Sequence, residues 1–206
     1  MSFNDKVISV KLQDLAEIQP GYQHKGQMTN DSSADWSCIQ VQDLDHESRM
    51  VRAEGVWKMQ STKDLSRYVV SETDLLYLSR GSNFGAYRIQ ESVGKTIALA
   101  HFFILRPIAN CPVLVDFLWV ALNDITLASC IQGFMKGSIM PFVSKLELGQ
   151  IDIPVPSREA QCHIVELAIL RSQEKKLHTQ LMKTKDDFYG SIINRNIYNK
   201  NMEDQS

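Results

Sequence analysis

Apolar and polar residues alternate with a period of two through much of the first half of the chain, as is typical of β-strands with one buried face. The alternation predicts strands over residues 36–44, 51–59, 85–90 and 96–106, and a short apolar run predicts another over residues 75–78. Residues 91–95 read as a hairpin connection between the strands on either side. His101 lies within the last predicted strand, where a lone histidine is expected to be a hydrogen-bonded structural group.

The pattern changes to helical spacing in two places before residue 130. After an alternating start at Val7, the phrase from Leu12 to Ile18 can place its apolar residues on one face of a helix, and a strand or short helix is expected before Pro20-Gly21 ends the element. Residues 113–127 repeat apolar side chains at helical spacing, and Cys130-Ile131 extends that face. We therefore expect one good internal helix over residues 113–127.

The C-terminal part of the chain predicts a short edge strand and then a long helix. Ile151, Ile153 and Val155 alternate with polar or proline residues, and an edge strand tolerates a proline because its missing N–H faces solvent. Ser157 is a candidate N-cap, so the helix is expected to begin near Arg158. It runs to about residue 198 without a proline, which is about 60 Å of helix if unbroken.

One face of this helix carries an apolar seam with the three-four spacing of a coiled coil. The seam is interrupted at Glu174 and Thr184. Because such a seam is not stable in water alone, we expect it to pack on another helix. Its apolar members, the predicted partner-helix interface, are Leu167, Leu170, Leu177, Leu181 and Phe188.

These elements predict an α/β (α+β) fold with a twisted, mostly antiparallel or mixed sheet, followed by a long C-terminal coiled-coil helix. We assign residues 1–156 to the body, 157–198 to the helix and 199–206 to a flexible tail. A length of 206 residues suits one core with an appendage, and 44% hydrophobic residues suit a folded protein.

Composition and motifs narrow the function. The formal net charge of -2 gives no global attraction to nucleic acid, so DNA binding would need locally clustered cations. The 4 cysteines lack metal-ligand spacing and are expected to be reduced, mostly buried thiols, and no metal site is predicted. No Walker loop, glycine-rich cofactor loop or Asn/Asp-Pro-Pro-Tyr/Phe methyltransferase motif is present, so a non-catalytic protein is expected. No apolar run reaches membrane-span length, which favours a cytoplasmic location.

Residues 137–165 contain the most informative sequence. Gly-Ser-Ile-Met-Pro-Phe-Val-Ser-Lys at 137–145 is followed by Ile-Pro-Val-Pro at 153–156 and by Glu159, Gln161, Ile164 and Val165. This stretch resembles the end of a target recognition domain in the DNA specificity (S) subunits of type I restriction–modification systems. The phrase at 12–18 and the loop at 80–82 are similar to other parts of such domains. Ala160 departs from the pattern, since the family usually has a second acidic residue there.

The resemblance implies a specificity subunit that binds double-stranded DNA and docks an adenine methyltransferase and, in some assemblies, a restriction/translocase subunit. It implies no cofactor on this chain, because S-adenosylmethionine is carried by the partner methyltransferase. By family position, the candidate DNA-binding residues are Tyr22, Gln23, Lys25, Arg80, Ser82, Asn83, Lys136, Ser138 and Lys145.

Several alternatives remain open at this stage. A full family subunit has two recognition domains and two helices, so a chain with one of each is expected to act as a half-subunit that dimerises through its helix and binds one half of a two-part DNA site. A different second half, or a helix that packs only on the methyltransferase, would also cover the seam. The competing function is a regulatory or interaction protein that keeps the fold without reading DNA. The target sequence and whether the complex cleaves or only methylates stay undetermined.

Overall fold

The computed structural model describes residues 7–26, 28–52, 56–81, 83–90, 95–133 and 141–203. They divide into two compact units, Met1–Val165 and Glu166–Ser206. The first unit contains the sheets and the short helices. The second consists of the continuation of the C-terminal helix.

Eleven described strands form three sheets in the first unit. The strands are β1 (Ile8–Lys11), β2 (Ala16–Pro20), β3 (Trp36–Ile39), β4 (Leu44–Asp45), β5 (Met50–Val51), β6 (Trp57–Met59), β7 (Leu75–Leu78), β8 (Gly85–Ile89), β9 (Lys95–Ala98), β10 (Phe102–Pro107) and β11 (Asp152–Val155). The largest sheet has the order β2-β10-β7-β8-β5-β4, a second has the order β6-β3-β9, and β1 pairs with β11. Most pairs are antiparallel, but β5–β8 and β3–β9 are parallel, so the predicted mixed sheet is confirmed.

Five described helices accompany the sheets. They are α1 (Leu12–Leu15), α2 (Val115–Leu122), α3 (Ile125–Gly133), α4 (Lys145–Gly149) and α5 (Arg158–Glu203). The last begins at the predicted residue, and Ala160 N–H donates to the Ser157 hydroxyl, as expected of an N-cap.

The central strands of the six-stranded sheet are buried on both faces. In β7, Leu75 and Tyr77 pack in one apolar cluster with α2, whereas Leu76 and Leu78 pack in a second cluster on the other face. Both faces are covered, which is why the β7 sequence is continuously apolar and does not alternate. This sheet therefore forms the rigid centre of the body.

The helical spacing over Leu12–Ile18 produces only the single turn α1, and the strand that the sequence left open as the alternative follows it. Residues 16–20 instead form β2, which pairs antiparallel with β10 along its whole length. The helical spacing of the apolar residues is real, but backbone pairing with the sheet outweighs local propensity here.

Three sequence predictions are wrong because neighbouring segments belong to different sheets. The predicted strand 96–106 is divided into β9, which pairs with β3, and β10, which pairs with β7. Residues 91–94, for which a hairpin connection was predicted, lie outside the described residues; the flanking strands β8 and β9 belong to different sheets. Residues 36–44 and 51–59 likewise each contribute strands to two sheets.

The internal helix predicted over residues 113–127 is two helices. α2 ends at Leu122, where the Asn123 side chain donates to the carbonyls of Ala86 and Trp119. The Asp124 carboxylate then accepts from the N–H of Thr126 at the start of α3. Competing side-chain hydrogen bonds of Asn and Asp thus divide a continuous apolar face.

Two predictions about single side chains also fail. His101 lies exposed in a turn between β9 and β10 and is not buried within a strand. Of the four cysteines, Cys38 is buried and Cys111 is partly buried, but Cys130 and Cys162 are exposed. All four are free thiols, as expected, although they are not mostly buried.

Candidate nucleic-acid interface

Loops from five parts of the chain meet at one edge of the six-stranded sheet. β2 and β7 end there, and β10 and β8 begin there, as shown by the pairings of Phe103 with Pro20 and of Leu78 with Phe102 and Gly85. We define the loop edge as residues 21–26, 46–49, 79–81, 83–85, 99–101 and 141–143. It brings together residues that lie far apart in sequence.

Gly21 fixes the first loop against the turn that follows β9. A β-carbon at this position would lie 2.2 Å from the Leu99 carbonyl oxygen, which no side chain tolerates. The N–H groups of Gly21 and Tyr22 donate to the carbonyls of Phe102 and Ala98 at 2.9 and 2.8 Å. Because of these bonds, the chain beyond β2 starts from a fixed position at the loop edge.

Arg80 is held at the loop edge by the stretch before α4. The N–H of Gly81 donates to the Pro141 carbonyl, and the N–H of Val143 donates to the Ser79 carbonyl, both at 3.1 Å. Gly81 has φ of 100°, a conformation that glycine adopts without strain. The Arg80 backbone is therefore fixed on both sides while its side chain remains exposed.

The loop edge is locally positive although the whole chain is not. Its described residues include Lys25, Arg49 and Arg80 but only one acidic residue, Glu47. At the opposite edge of the sheet, Asp14 precedes β2, and Glu72 and Asp74 precede β7. That edge also contains Arg106, which forms an ion pair with Asp74 at 3.5 Å. The sequence suggested that cations would have to be local for DNA binding, and the fold supplies such a cluster.

Tyr22 has a structural role that is separate from Lys25 and Gln23. Its ring packs edge-on against Tyr68 at 5.2 Å and contributes to the apolar cluster around Trp36. Gln23 and Lys25 are exposed in the same loop. Of these three predicted DNA contacts, Tyr22 is partly buried by this packing, whereas the side chains of Gln23 and Lys25 are exposed to solvent.

Other predicted contacts are placed differently. Asn83 is exposed at the loop edge, but Ser82, Lys136 and Ser138 lie outside the described residues. Lys145 begins α4 and lines a shallow groove of about 460 Å³ beside the first residues of β2, together with Gln13, Ala16, Glu17, Ile18, Leu146 and Gly149. Arg80 and Asn83 thus lie in the loop between β7 and β8 and Lys25 lies in the loop after β2, whereas Lys145 lines a separate groove.

Two cations at or beside this surface were missed from the sequence. Arg49 lies in the turn before β5, and the Arg67 guanidinium lies over the Tyr68 ring at 4.6 Å, next to Tyr22. Neither belongs to a recognisable motif. Only the pairing of distant strands places them here, so local sequence gives no signal for either residue.

Gln161 ties the start of α5 to the body. Its side chain is 1% exposed; the amide oxygen accepts from the N–H of Leu114 at 2.8 Å, and the amide nitrogen donates to the carbonyls of Pro112 and Pro156. The glutamine of the family-like motif thus has a structural explanation in the first unit.

In the second unit, the predicted helix seam is exposed along its length. Leu167, Leu177 and Phe188 are 68%, 65% and 60% exposed, and Leu170 and Leu181 are 55% and 51% exposed. Ile192, Ile193 and Ile197 add further exposed apolar side chains toward the C-terminus. Apolar residues repeated in this way mark an interaction surface.

The structure adds little to suggest catalysis or membrane insertion. Within the described ranges, no three His, Cys, Asp or Glu side chains are grouped so that they could hold a metal ion. Nor does any helix in those ranges combine the length and apolar character needed to span a bilayer.

Comparison with solved structures identifies the fold. The type I restriction–modification S subunit of M. genitalium matches with a TM-score of 0.57 and 12% identity over 87% of this chain and 42% of that chain. The HsdS subunit of Thermoanaerobacter tengcongensis matches with a TM-score of 0.63 and 13% identity over 88% of this chain and 46% of that one. The fold is that of a type I S subunit.

A third similar chain comes from a structure concerned with complex assembly and conformational transition of the type I R-M system. It has a TM-score of 0.64 and 18% identity over 88% of this chain and 42% of that chain. This chain thus spans less than half the length of the S-subunit chains it matches. No protein-family model matches it, and no curated protein sequence does so significantly.

Proposed function

We propose that this protein is a DNA specificity subunit of a type I-like restriction–modification system, in which the loop edge binds one half of a two-part DNA site. The observation that carries the proposal is that the exposed cations Lys25 and Arg80 both lie in loops at one edge of an S-subunit fold. Cations on fixed backbone positions suit phosphate contacts, and exposed amides such as Asn83 and Gln23 suit base edges.

The protein would itself be non-catalytic. Methylation chemistry would come from an adenine methyltransferase subunit that carries S-adenosylmethionine, and a restriction/translocase subunit would join the same assembly. The support on this chain is a fold shared with S subunits.

The exposed seam of α5 would pair with a second copy of the chain. The seam from Leu167 to Phe188 spans about 32 Å, which is long enough for a two-stranded coiled coil. Pairing two identical chains through it would place two loop edges on one DNA molecule and give an inverted, two-part site. A different second half or the methyltransferase alone would cover the same seam without that symmetry.

A genome-wide methylation experiment tests this function. The chain is co-expressed with candidate adenine methyltransferases of its source cells, the complex is purified, and methylated adenines are mapped with and without the chain. We expect a two-part methylated motif that disappears when the chain is omitted. A complex that forms but leaves the methylation pattern unchanged would reject the specificity role.

That second outcome would favour the alternative function, a regulatory protein that keeps the fold and binds a methyltransferase through α5. The formal net charge of -2 is the observation in its favour, because long-range repulsion from DNA opposes binding. The two functions differ in one measurable property: only a specificity subunit changes which sites are methylated.

A further inference from the structure

Arg49 has an unusual backbone for its residue type. Its φ is 57°, in the left-handed region, which for a non-glycine residue costs about 1 kcal/mol or more. The Arg49 carbonyl accepts hydrogen bonds from the Arg88 N–H at 3.0 Å and from the Trp119 indole N–H at 3.2 Å. β8 and α2 therefore hold Arg49 in a conformation that it would not adopt alone.

The Arg49 side chain returns to the loop before β8. Its Nη1 donates to the carbonyls of Asn83 at 3.2 Å and Phe84 at 3.0 Å and to the Tyr87 hydroxyl at 2.8 Å. The guanidinium carbon also lies 5.3 Å from the centre of the Tyr87 ring, which is within cation–π range. One arginine thus holds two consecutive carbonyls of the loop.

Gly85 makes this approach possible. It has φ of 141°, and a β-carbon there would lie 3.1 Å from Arg49 Nη1 and 2.4 Å from Asn123 Oδ1. A glycine is therefore required both for the backbone conformation and for the space that the guanidinium occupies.

Tyr87 and His46 complete the network. Tyr87 is fully buried; its hydroxyl donates to the Asn83 carbonyl at 3.0 Å and lies 2.7 Å from His46 Nδ1. A phenol has one hydroxyl proton. When Tyr87 donates that proton to the Asn83 carbonyl, the phenol oxygen must accept the hydrogen bonds from both Arg49 and His46. This assigns the imidazole proton to Nδ1.

The result is that the Asn83 carbonyl receives two hydrogen bonds while the Asn83 residue stays exposed. Fixing a carbonyl from two directions fixes the peptide plane and hence the direction in which the side chain leaves the backbone. Asparagine recognises adenine through two hydrogen bonds whose geometry is strict. The orientation of the asparagine side chain therefore determines how well it discriminates adenine from other bases.

We propose that Arg49, Tyr87 and His46 are positioning residues that orient Asn83 toward one base pair of the DNA site. They set specificity at that position without touching the base. This inference rests on the proposed function, because it assigns a task to residues behind the DNA-facing surface. Preorganising a contact residue by groups packed behind it is a general requirement of specific sites.

The test compares methylation motifs of complexes that contain single variants of this chain. Asn83→Ala identifies the base pair that Asn83 reads, since discrimination there should fall by about tenfold or more. Tyr87→Phe and Arg49→Lys should relax the motif at the same base pair and leave the other positions unchanged. Arg52→Lys is the matched control, because Arg52 is an exposed arginine on the same hairpin whose ion-pair partner is Asp45, 4.0 Å away.

A pair of histidine variants separates positioning from general stability. His46→Asn keeps a polar group near the Tyr87 hydroxyl and should retain the native motif, whereas His46→Ala should relax it at the Asn83 position. Thermal unfolding of each variant checks that the body is intact. A motif that is unchanged in Tyr87→Phe and Arg49→Lys, or one that weakens equally at every base pair, would overturn the inference.

Failure of the proposed function gives a different result. If the wild-type chain does not change which adenines are methylated, the specificity role and this inference both fall. If the wild-type chain sets the motif but the Tyr87 and Arg49 variants set the same motif, only the inference is rejected.

Discussion

Cys38 and Cys162 illustrate how burial decides the chemistry of identical side chains. Burial, with a smaller contribution from the Asp43 charge, raises the pKa of the Cys38 thiol to about 12. Its Sγ lies 3.7 Å from the Trp36 carbonyl oxygen, which accepts its weak hydrogen bond. Cys162 is exposed on the first turns of α5.

We therefore expect selective alkylation of the folded chain. At neutral pH, iodoacetamide should modify Cys162 and Cys130 but leave Cys38 unmodified, because only the thiolate reacts and Cys38 is both protonated and buried. Peptide mass spectrometry measures the extent at each site. Labelling in urea is the control, in which all four cysteines should react; equal rates for Cys38 and Cys162 in the folded chain would contradict the structure.

Two aspartates should give pH effects of opposite sign. Burial raises the pKa of Asp43 despite a hydrogen bond from the Gln40 N–H, so stability from this group is full at low pH and is lost as pH rises through its folded pKa. Hydrogen bonds from the Ser33 hydroxyl and N–H lower the pKa of exposed Asp31, so its contribution is lost as pH falls through its folded pKa.

The prediction follows from comparing asparagine variants at about pH 3 and about pH 7.5, on either side of the ordinary aspartate pKa. The melting temperature of Asp43→Asn relative to wild type should rise with pH, because the variant removes a charge that is unfavourable when buried. That of Asp31→Asn should fall with pH relative to wild type. Differential scanning fluorimetry measures both, and shifts of the same sign would show that the carboxylates are not in these environments.

Among the elements, α5 was the best predicted and β2 the worst. The start of α5 at Arg158 follows from local chemistry, namely Pro156, Ser157 and Glu159, which act on the helix terminus itself. β2 pairs with a strand more than eighty residues away, so no local signal distinguishes it from the end of a helix.

The candidate site was predicted only in part, for the same reason. The family resemblance drew attention to Lys25 and Arg80 in the sequence. Their meeting with Arg49 depends on the order of strands in the sheet, which the sequence did not indicate. The family-like residues at 148–165 proved to be mostly structural: Leu148, Ile153 and Gln161 are buried.

The buried amide of Gln161 predicts a stability effect at the junction of body and helix. Gln161→Leu should lower the free energy of unfolding by about 2 kcal/mol, because Leu114 N–H and two proline carbonyls lose their partners. Gln173→Leu, at an exposed position of the same helix, should change it little. Urea unfolding followed by circular dichroism measures both, and equal values would refute the role given to Gln161.

The α5 seam gives a prediction about assembly. Wild-type chain should be dimeric at micromolar concentration, and Leu177→Glu with Leu181→Glu should be monomeric, because buried carboxylates at seam positions oppose packing. Ser172→Glu with Thr179→Glu adds the same charge on the opposite face and should remain dimeric. Size-exclusion chromatography with light scattering measures the mass; a monomeric wild type would exclude the homodimer.

For the whole molecule, the uneven distribution of charge matters more than its sum. The chain has a net charge of -2, yet the loop edge contains Lys25, Arg49 and Arg80 and only one acidic residue, Glu47. The salt dependence of DNA affinity should therefore be determined by the cations at the loop edge and not by the net charge of the chain.

Removing two of those cations tests this directly. Arg80→Ala with Lys25→Ala should reduce the slope of log affinity against log salt concentration by about two if both contact phosphate, with the melting temperature unchanged. Lys58→Ala with Lys63→Ala makes the same charge change outside the loop edge and should leave the slope unaltered. Fluorescence anisotropy with labelled DNA that contains the methylated motif measures the salt slope of each double variant. Equal slopes for the two double variants would place the DNA elsewhere.

Burial of β7 on both faces has a consequence for how such chains diverge. Every side chain of that strand is buried, so it accepts few substitutions, whereas Gln23, Lys25, Arg80 and Asn83 at the loop edge are exposed. Substitutions can therefore change the loop-edge surface many times during evolution while the sheet is retained. A lineage of this fold is expected to retain its architecture at identities of 12–18%, as this chain and the solved structures that it matches do.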